Sequence, residues 1–282
     1  MPPEYRTRFA PSPTGLLHLG HAYSALVAAA RARSAGGTFL VRIEDIDSAR
    51  CRTEYETAAF EDLRWLGLDW PEPVMRQSAR QGAYAQALDR LAALGVCYPC
   101  RCTRGDIRAA LSAPQEGALP GPYPGLCRHR SMAEAAEGDA IRLDLAQALA
   151  LTGPVFFTET GPLHPGRQAV DPGWLAREIG DVVLARRDIG TSYHLAVVVD
   201  DAAQGITEVV RGADLFETSG LQRVLQLLLE LPEPRYHHHR LIRDTAGKRL
   251  AKRDDARAIR RYRDAGASPA EVAAMVGLTL RG

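Results

Sequence analysis

His18 and His21 stand three residues apart with Gly20 between them, directly after the turn-rich segment Pro11-Ser12-Pro13-Thr14-Gly15. At that spacing two side chains share one side of a helical turn. A helix N-terminus adds unpaired N–H groups and a partial positive charge. The arrangement suits a triphosphate, with two imidazole donors where negative charge builds on the α-phosphate. Gly20 would let a flat ring or a phosphate come close to the backbone. Two surface histidines on an ordinary amphipathic helix are the plain alternative, and the preceding proline-rich turn weighs against it.

The cysteines form the second chemical cluster. Four of the five fall between Cys97 and Cys127, in CYPCRC and PGLCRH, with Cys51 apart. Grouped cysteines without a secretory signal point to a metal before a disulfide. Zinc takes four ligands in structural sites. Cys100, Cys102 and Cys127 supply three, leaving Cys97, Tyr123 or His129 for the fourth, and spacing alone favours Cys97 or His129. With all positions filled, such a site is structural.

These groups need elements to hold them. Tyr5 to Ala10 reads as a strand that Pro11 and Pro13 end. Leu16 to Arg33 reads as a helix stopped by Gly36-Gly37, which makes a strand-loop-helix unit. Thr38 to Ile43 (TFLVRI) reads as a second strand carrying Glu44-Asp45-Ile46-Asp47 at its end. Open α/β sheets bind ligands at the carboxyl ends of their strands, so Glu44 is placed to meet an ammonium, whereas Asp47 reads as a cap for the next helix. Helices follow over Glu54 to Leu66 and Ala79 to Leu94, with Trp65 and Trp70 as packing residues. Ala140 to Asp188 alternates short strand-like pieces with turns, as an insertion lying over the site would. The sheet resumes with two β-branched runs read as strands, Tyr193 to Asp201 and Ile206 to Arg211. Asp200-Asp201 reads as a helix cap in preference to a Mg2+ site, and Arg211 calls for a carboxylate partner. Phe216 to Leu231 is an amphipathic helix, and two short helices follow near Asp255 to Asp264 and Ser268 to Val276.

Composition sets wide bounds. The chain has 282 residues, 46% hydrophobic and 24% charged, with net charge +1. That is enough to bury a real core as one elaborate domain or two small ones. It holds no run of about 18 apolar residues and begins without an apolar signal region, so a soluble cytoplasmic protein with no membrane partner is expected. Charge is uneven: Arg240 to Asp264 holds ten Lys/Arg against four Asp.

Pro11 to His21 resembles the "HIGH" signature of class I aminoacyl-tRNA synthetases in the form of their glutamyl and glutaminyl branch. The likeness continues through Arg42-Ile43-Glu44-Asp45-Ile46-Asp47, Val210-Arg211-Gly212-Ala213-Asp214 and Arg249-Leu250-Ala251-Lys252-Arg253. This last segment is similar to the "KMSKS" loop but departs at Ala251, where serine is usual, and at Arg249. The resemblance implies an α/β Rossmann-type catalytic core with a zinc-bearing insertion. It implies His18, Gly20, His21 and Lys252 at ATP, with His18, His21 and Lys252 catalytic. It places Arg8, Ala10, Ser12, Glu44, Tyr193 and Arg211 at L-glutamate. Two arginines and one glutamate indeed fit a substrate with two carboxylates and one ammonium, glutamate or aspartate. The branch also carries C-x-C followed by Y-x3-C, which implies one structural Zn2+ on Cys100, Cys102, Tyr123 and Cys127. The implied cofactors are that ion and Mg2+ with ATP.

Residues 1–96 and 191–235 are expected as the two halves of the Rossmann domain. Residues 97–190 would be the insertion, and 236–282 the KMSKS-like loop with C-terminal helices. The chain stops where larger members continue into an anticodon-binding module. Among members of the branch this implies a monomer that attaches glutamate to the queuosine base at the wobble position of tRNA(Asp). A truncated enzyme charging a tRNA 3′ end, a small-molecule adenylating ligase and a silent RNA-binding paralogue are the alternatives.

Overall fold

The computed structural model describes residues 4–103, 105–107, 122–242 and 258–280. The chain opens with β1 (Arg6–Phe9), α1 (Leu19–Ser34), β2 (Thr38–Ile43), α2 (Thr53–Trp65) and β3 (Met75–Arg76). β1, β2 and β3 lie side by side and parallel, with Arg8 opposite Leu40 and Arg42 opposite Met75. The helix α1 begins at Leu19, later than the alanine-rich composition predicts. Leu17 and His18 are drawn into extended backbone, where Ile259 N–H donates to the Leu17 carbonyl at 2.8 Å and His18 bridges Ala258.

The other half of the parallel sheet comes from distant sequence. β6 (Phe156–Glu159) and β7 (Gly166–Ala169) pair antiparallel, while β9 (Glu208–Gly212) and β10 (Arg235–His239) run parallel to β6 in the order β7-β6-β10-β9. Thr207 N–H donates to the Arg6 carbonyl at 3.0 Å, setting β9 beside β1. The combined order is therefore β3-β2-β1-β9-β10-β6-β7. From β1 the chain moves outward to one side, and from β9 to the other. The gap at their carboxyl ends is a topological switch point, where open α/β sheets bind ligands.

Three antiparallel strands, β4 (Cys97–Cys100), β5 (Ala140–Leu143) and β8 (Val183–Ala185), form a separate small sheet. β6 and β7, from the same stretch of sequence, extend the main sheet instead. The helices divide between two cores. One packs α1 and α2 with α7 (Ile259–Asp264) and α8 (Pro269–Met275) against β1 and β2. The other gathers α3 (Gln81–Ala93), α4 (Leu145–Thr152), α5 (Tyr193–Ala203) and α6 (Thr218–Leu228). Trp70, tilted against Phe60, packs into the first core as expected. Among the described residues no helix is long and apolar enough to cross a membrane.

Three sequence expectations need correction. Tyr193 to Asp201 is the helix α5, not a strand. Leu195, Ala196, Val197 and Val198 are all buried there, so the run shows no polar face, and a short wholly apolar run does not distinguish strand from buried helix. Asp200 and Asp201 lie inside α5 and cap nothing: Asp200 bonds Arg80, Gln77 and Tyr84, and Asp201 takes two buried arginines. Asp47 pairs with Arg50, while the N-cap of α2 is Arg52 with no side-chain cap.

Candidate active site

The first turn of α1 is closed by its own histidines. His18, extended at φ −118° and ψ 176°, is the N-cap, and its Nδ1 accepts the Gly20 N–H at 3.1 Å. His21 reaches back, and its Nδ1 accepts the His18 N–H at 3.1 Å. The rings stack with centroids 3.8 Å apart. An Nδ1 that accepts carries no proton, so each neutral ring holds its proton on Nε2. The capping box thus fixes two Nε2–H donors side by side. It also explains Gly20: a Cβ there would stand 3.0 Å from His18 Cε1. The ring that approaches this glycine closely is His18's own.

Both imidazoles line a cleft of about 680 Å3 at the switch point. Gly20, Arg8, Ala10, Ser12, Glu44, Tyr193 and Arg211 line it too. Every nucleotide or glutamate residue expected from sequence within the described chain therefore borders one space. Lys252 lies outside the described residues. The stretch Ala140 to Asp188, expected over the site, contributes nothing to the described lining. The loop after β1 is tied to the end of β2, where Glu44 N–H donates to the Pro11 carbonyl at 3.0 Å.

The charges are ordered by a buried chain that sequence reading missed. Asp201 accepts from Arg8 Nε at 3.0 Å and Nη2 at 3.3 Å, and from Arg42 Nη1 at 2.7 Å. Arg42, wholly buried, gives Nη2 to Glu44 Oε1 at 3.1 Å. Burial opposes the charge on Asp201, but Arg8 and Arg42 outweigh it and hold its pKa below the usual range. For Glu44 burial wins over Arg42 and Arg8, and its pKa is raised. An ammonium arriving beside Glu44 would reverse that shift.

Arg211 is held differently. Its expected carboxylate partner is absent among the described residues. Nε donates to His238 Nε2 at 3.0 Å, Nη1 to Gln222 at 2.7 Å, and Nη2 to Ser219 Oγ at 2.8 Å and the Leu215 carbonyl at 3.2 Å. His239, also unforeseen, lines the cleft with its Nε2 2.5 Å from Ser24 Oγ and its Nδ1 2.9 Å from the Arg240 carbonyl. The run His237-His238-His239 was the available signal for both histidines.

The sequence matches the family described as tRNA synthetases class I (E and Q), catalytic domain, over residues 4–147 and 166–282. The chain belongs to the class I tRNA synthetases of the E and Q group. It is 56% identical over 279 residues to the glutamyl-Q tRNA(Asp) synthetase of Rhodobacter capsulatus, covering 96% of this chain and 99% of that protein. It is 43% identical over 276 residues to the glutamyl-Q tRNA(Asp) synthetase of Nitratidesulfovibrio vulgaris, covering 95% and 83%. A crystal structure of a glutamate tRNA ligase from Elizabethkingia meningosepticum in complex with its amino acid aligns with TM-score 0.71 at 28% identity, covering 90% of this chain. This chain spans 53% of the length of that one.

In this class I synthetase the cysteines cluster at the end of β4 in the small sheet. Sγ atoms of Cys100, Cys102 and Cys127 lie within 4.8 Å of one another, a group that could hold a metal. The Tyr123 hydroxyl is 3.5 Å from Cys100 Sγ and 3.3 Å from Cys102 Sγ, and accepts the Cys127 N–H at 2.9 Å. Cys97 instead packs into the second core, where burial pushes its thiol up to about 12, and His129 is exposed. Burial opposes ionisation of Cys127, but bonds from Tyr123, the Arg101 N–H and the neighbouring thiols bring it down to about 7.

Proposed function

We propose that this chain condenses L-glutamate with ATP to glutamyl-adenylate and pyrophosphate, then transfers the glutamyl group to the queuosine base at the wobble position of tRNA(Asp). The observation that carries the reading is the meeting, in one cleft, of two tautomer-fixed imidazole donors with Glu44 and the guanidinium of Arg211. The likeness to glutamyl-Q tRNA(Asp) synthetases supports the acceptor.

Glu44 takes the ammonium. Arg8, Arg211 and Tyr193 take the carboxylates, with Ala10 and Ser12 lining the loop. Glutamate's α-carboxylate is ionised at neutral pH and attacks the α-phosphate in line, so no general base is needed. As the new O–P bond forms and the bond to pyrophosphate breaks, charge grows on the α-phosphate oxygens. His18 and His21 donate Nε2–H there, Gly20 admits the His18 ring, and Lys252 follows the β- and γ-phosphates. Mg2+ accompanies ATP and screens the triphosphate.

The cysteine cluster fits a structural zinc held by Cys100, Cys102, Tyr123 and Cys127. Zinc–sulfur bonds of about 2.3 Å place sulfurs about 3.8 Å apart in a tetrahedron, and Cys102 and Cys127 stand at 3.4 Å.

The test is glutamate-dependent exchange of labelled pyrophosphate into ATP without RNA, followed by glutamyl transfer to tRNA(Asp) with and without queuosine. Exchange without RNA and transfer only to the queuosine form are expected. Exchange that required tRNA(Glu) would make the chain a 3′-charging enzyme, and no exchange under either condition would make it a silent paralogue.

A further inference from the structure

Arg211 is an unusual cation to find buried. It is 5% exposed and has no ion pair among the described residues. An arginine can only donate, so the bond from Arg211 Nε requires a lone pair on His238 Nε2. Ser219 Oγ lies 3.3 Å from the same nitrogen. The proton of a neutral His238 must then sit on Nδ1, and there it meets Glu159 Oε2 in a short contact. The other carboxylate oxygen, Oε1, accepts the Gly161 N–H at 2.5 Å and the His238 N–H at 3.0 Å. Glu159 is therefore held in place on both oxygens. The imidazole is wedged between Phe216, edge-on at 5.2 Å, and Tyr236, parallel at 6.0 Å. The loop after β6 crosses His238 so closely that a Cβ on Gly161 would stand 2.5 Å from the His238 carbonyl.

We propose that His238, backed by Glu159, is the positioning residue for Arg211, and that the imidazole keeps the buried Glu159 carboxylate one ring away from the guanidinium. A carboxylate in direct contact would neutralise Arg211 and occupy its donors. One imidazole away, Glu159 balances part of the charge and fixes the ring by its proton, while the guanidinium can still attract a carboxylate of the substrate. The inference rests on the glutamate-activating reading above and names how that site holds its substrate's acid group.

The experiment measures KM for glutamate and for ATP separately in pyrophosphate exchange with the full chain. His238→Leu removes the acceptor, and KM for glutamate should rise about 10- to 100-fold, the usual effect of losing a hydrogen bond to a charged group. KM for ATP should stay within about twofold, since ATP does not depend on Arg211. His238→Gln returns a carbonyl oxygen and should recover most of the glutamate affinity. Equal rises in both constants, an unchanged KM for glutamate, or glutamine no better than leucine would overturn the proposal. Nitrogen-15 spectra of the wild-type histidines decide it independently of activity and of whether a variant folds: His238 must be protonated on Nδ1, and a proton on Nε2 would refute the arrangement. A wild-type chain that gave no exchange would instead count against the functional reading.

Discussion

Asp201→Asn removes one negative charge and leaves the side-chain shape unchanged. In the wild type that carboxylate, 5% exposed, accepts from Arg8 at 3.0 and 3.3 Å and from Arg42 at 2.7 Å, and both arginines are buried. With asparagine, Arg8 and Arg42 keep the charge of Glu44, and Arg42 also that of Asp200, but lose the carboxylate that both contact. At an effective dielectric near 20, each lost charge contact at about 4 Å weakens the folded state by about 4 kcal/mol before relaxation. The amide oxygen retains part of the bonding. The cost of leaving a buried charge uncompensated is typically about 3–5 kcal/mol. At roughly 2–4 °C per kcal/mol for a chain of this size, calorimetry should show Tm lower by about 6–20 °C. Because Arg8, which loses its counter-ion, lines the cleft, saturating glutamate should raise the variant's Tm by more than the wild type's, its carboxylate entering beside Arg8. The sign with pH is fixed as well. The lowered pKa of Asp201 contributes stability at neutral pH that is lost only as pH falls through the folded value, a loss the variant lacks. A destabilisation under about 1 kcal/mol, combined with unchanged KM for glutamate, would refute the dependence of Arg8 and Arg42 on Asp201.

Lys252→Ala should lower the rate of pyrophosphate exchange on the order of a hundredfold while leaving KM for glutamate within a few-fold; equal losses in both would remove its phosphate role. Metal analysis of purified protein should find about one zinc per chain, abolished in Cys127→Ser and reduced in Tyr123→Phe, and a Tyr123→Phe protein with full zinc would exclude the phenol as a ligand. Asp62, fully buried in α2 and 3.1 Å from Arg263, has its pKa pushed up to about 6 by burial, which Arg263 only partly offsets. The folded state then binds a proton that the unfolded chain does not between pH 6 and about 4, so this group adds stability as pH falls. From pH 7 to pH 5 the wild type should gain on the order of 1 kcal/mol relative to Asp62→Asn in denaturant melts, and parallel pH profiles would contradict the raised pKa.

The residues that border the cleft were legible because each sits on a short local pattern: Pro11 to His21 around the first helix turn, Glu44 at the end of TFLVRI, and Arg211 on its β-branched run. Even the close ring approach at Gly20 follows from residue type, although the ring proved to be the neighbouring histidine's. What sequence hid was the set of groups that hold these residues in place. Arg42 lies inside an apolar strand, and its partner Asp201 is 159 residues away. Arg8 reaches the same carboxylate across 193 residues, and His238 reaches Glu159 across 79. Such pairs exist only once β9 lies beside β1 and β6 beside β10, and no window of sequence contains both partners. The misread segment has the same origin. Tyr193 to Asp201 looks like a strand because its β-branched side chains are locally suited to one, but it folds as a helix buried on nearly every side, where tertiary packing outweighs propensity. Asp201 faces Arg8 and Arg42 because that segment is helical. Correcting the secondary structure of α5 and finding the counter-ion of the substrate cleft are therefore one step, and the Asp201→Asn experiment tests both.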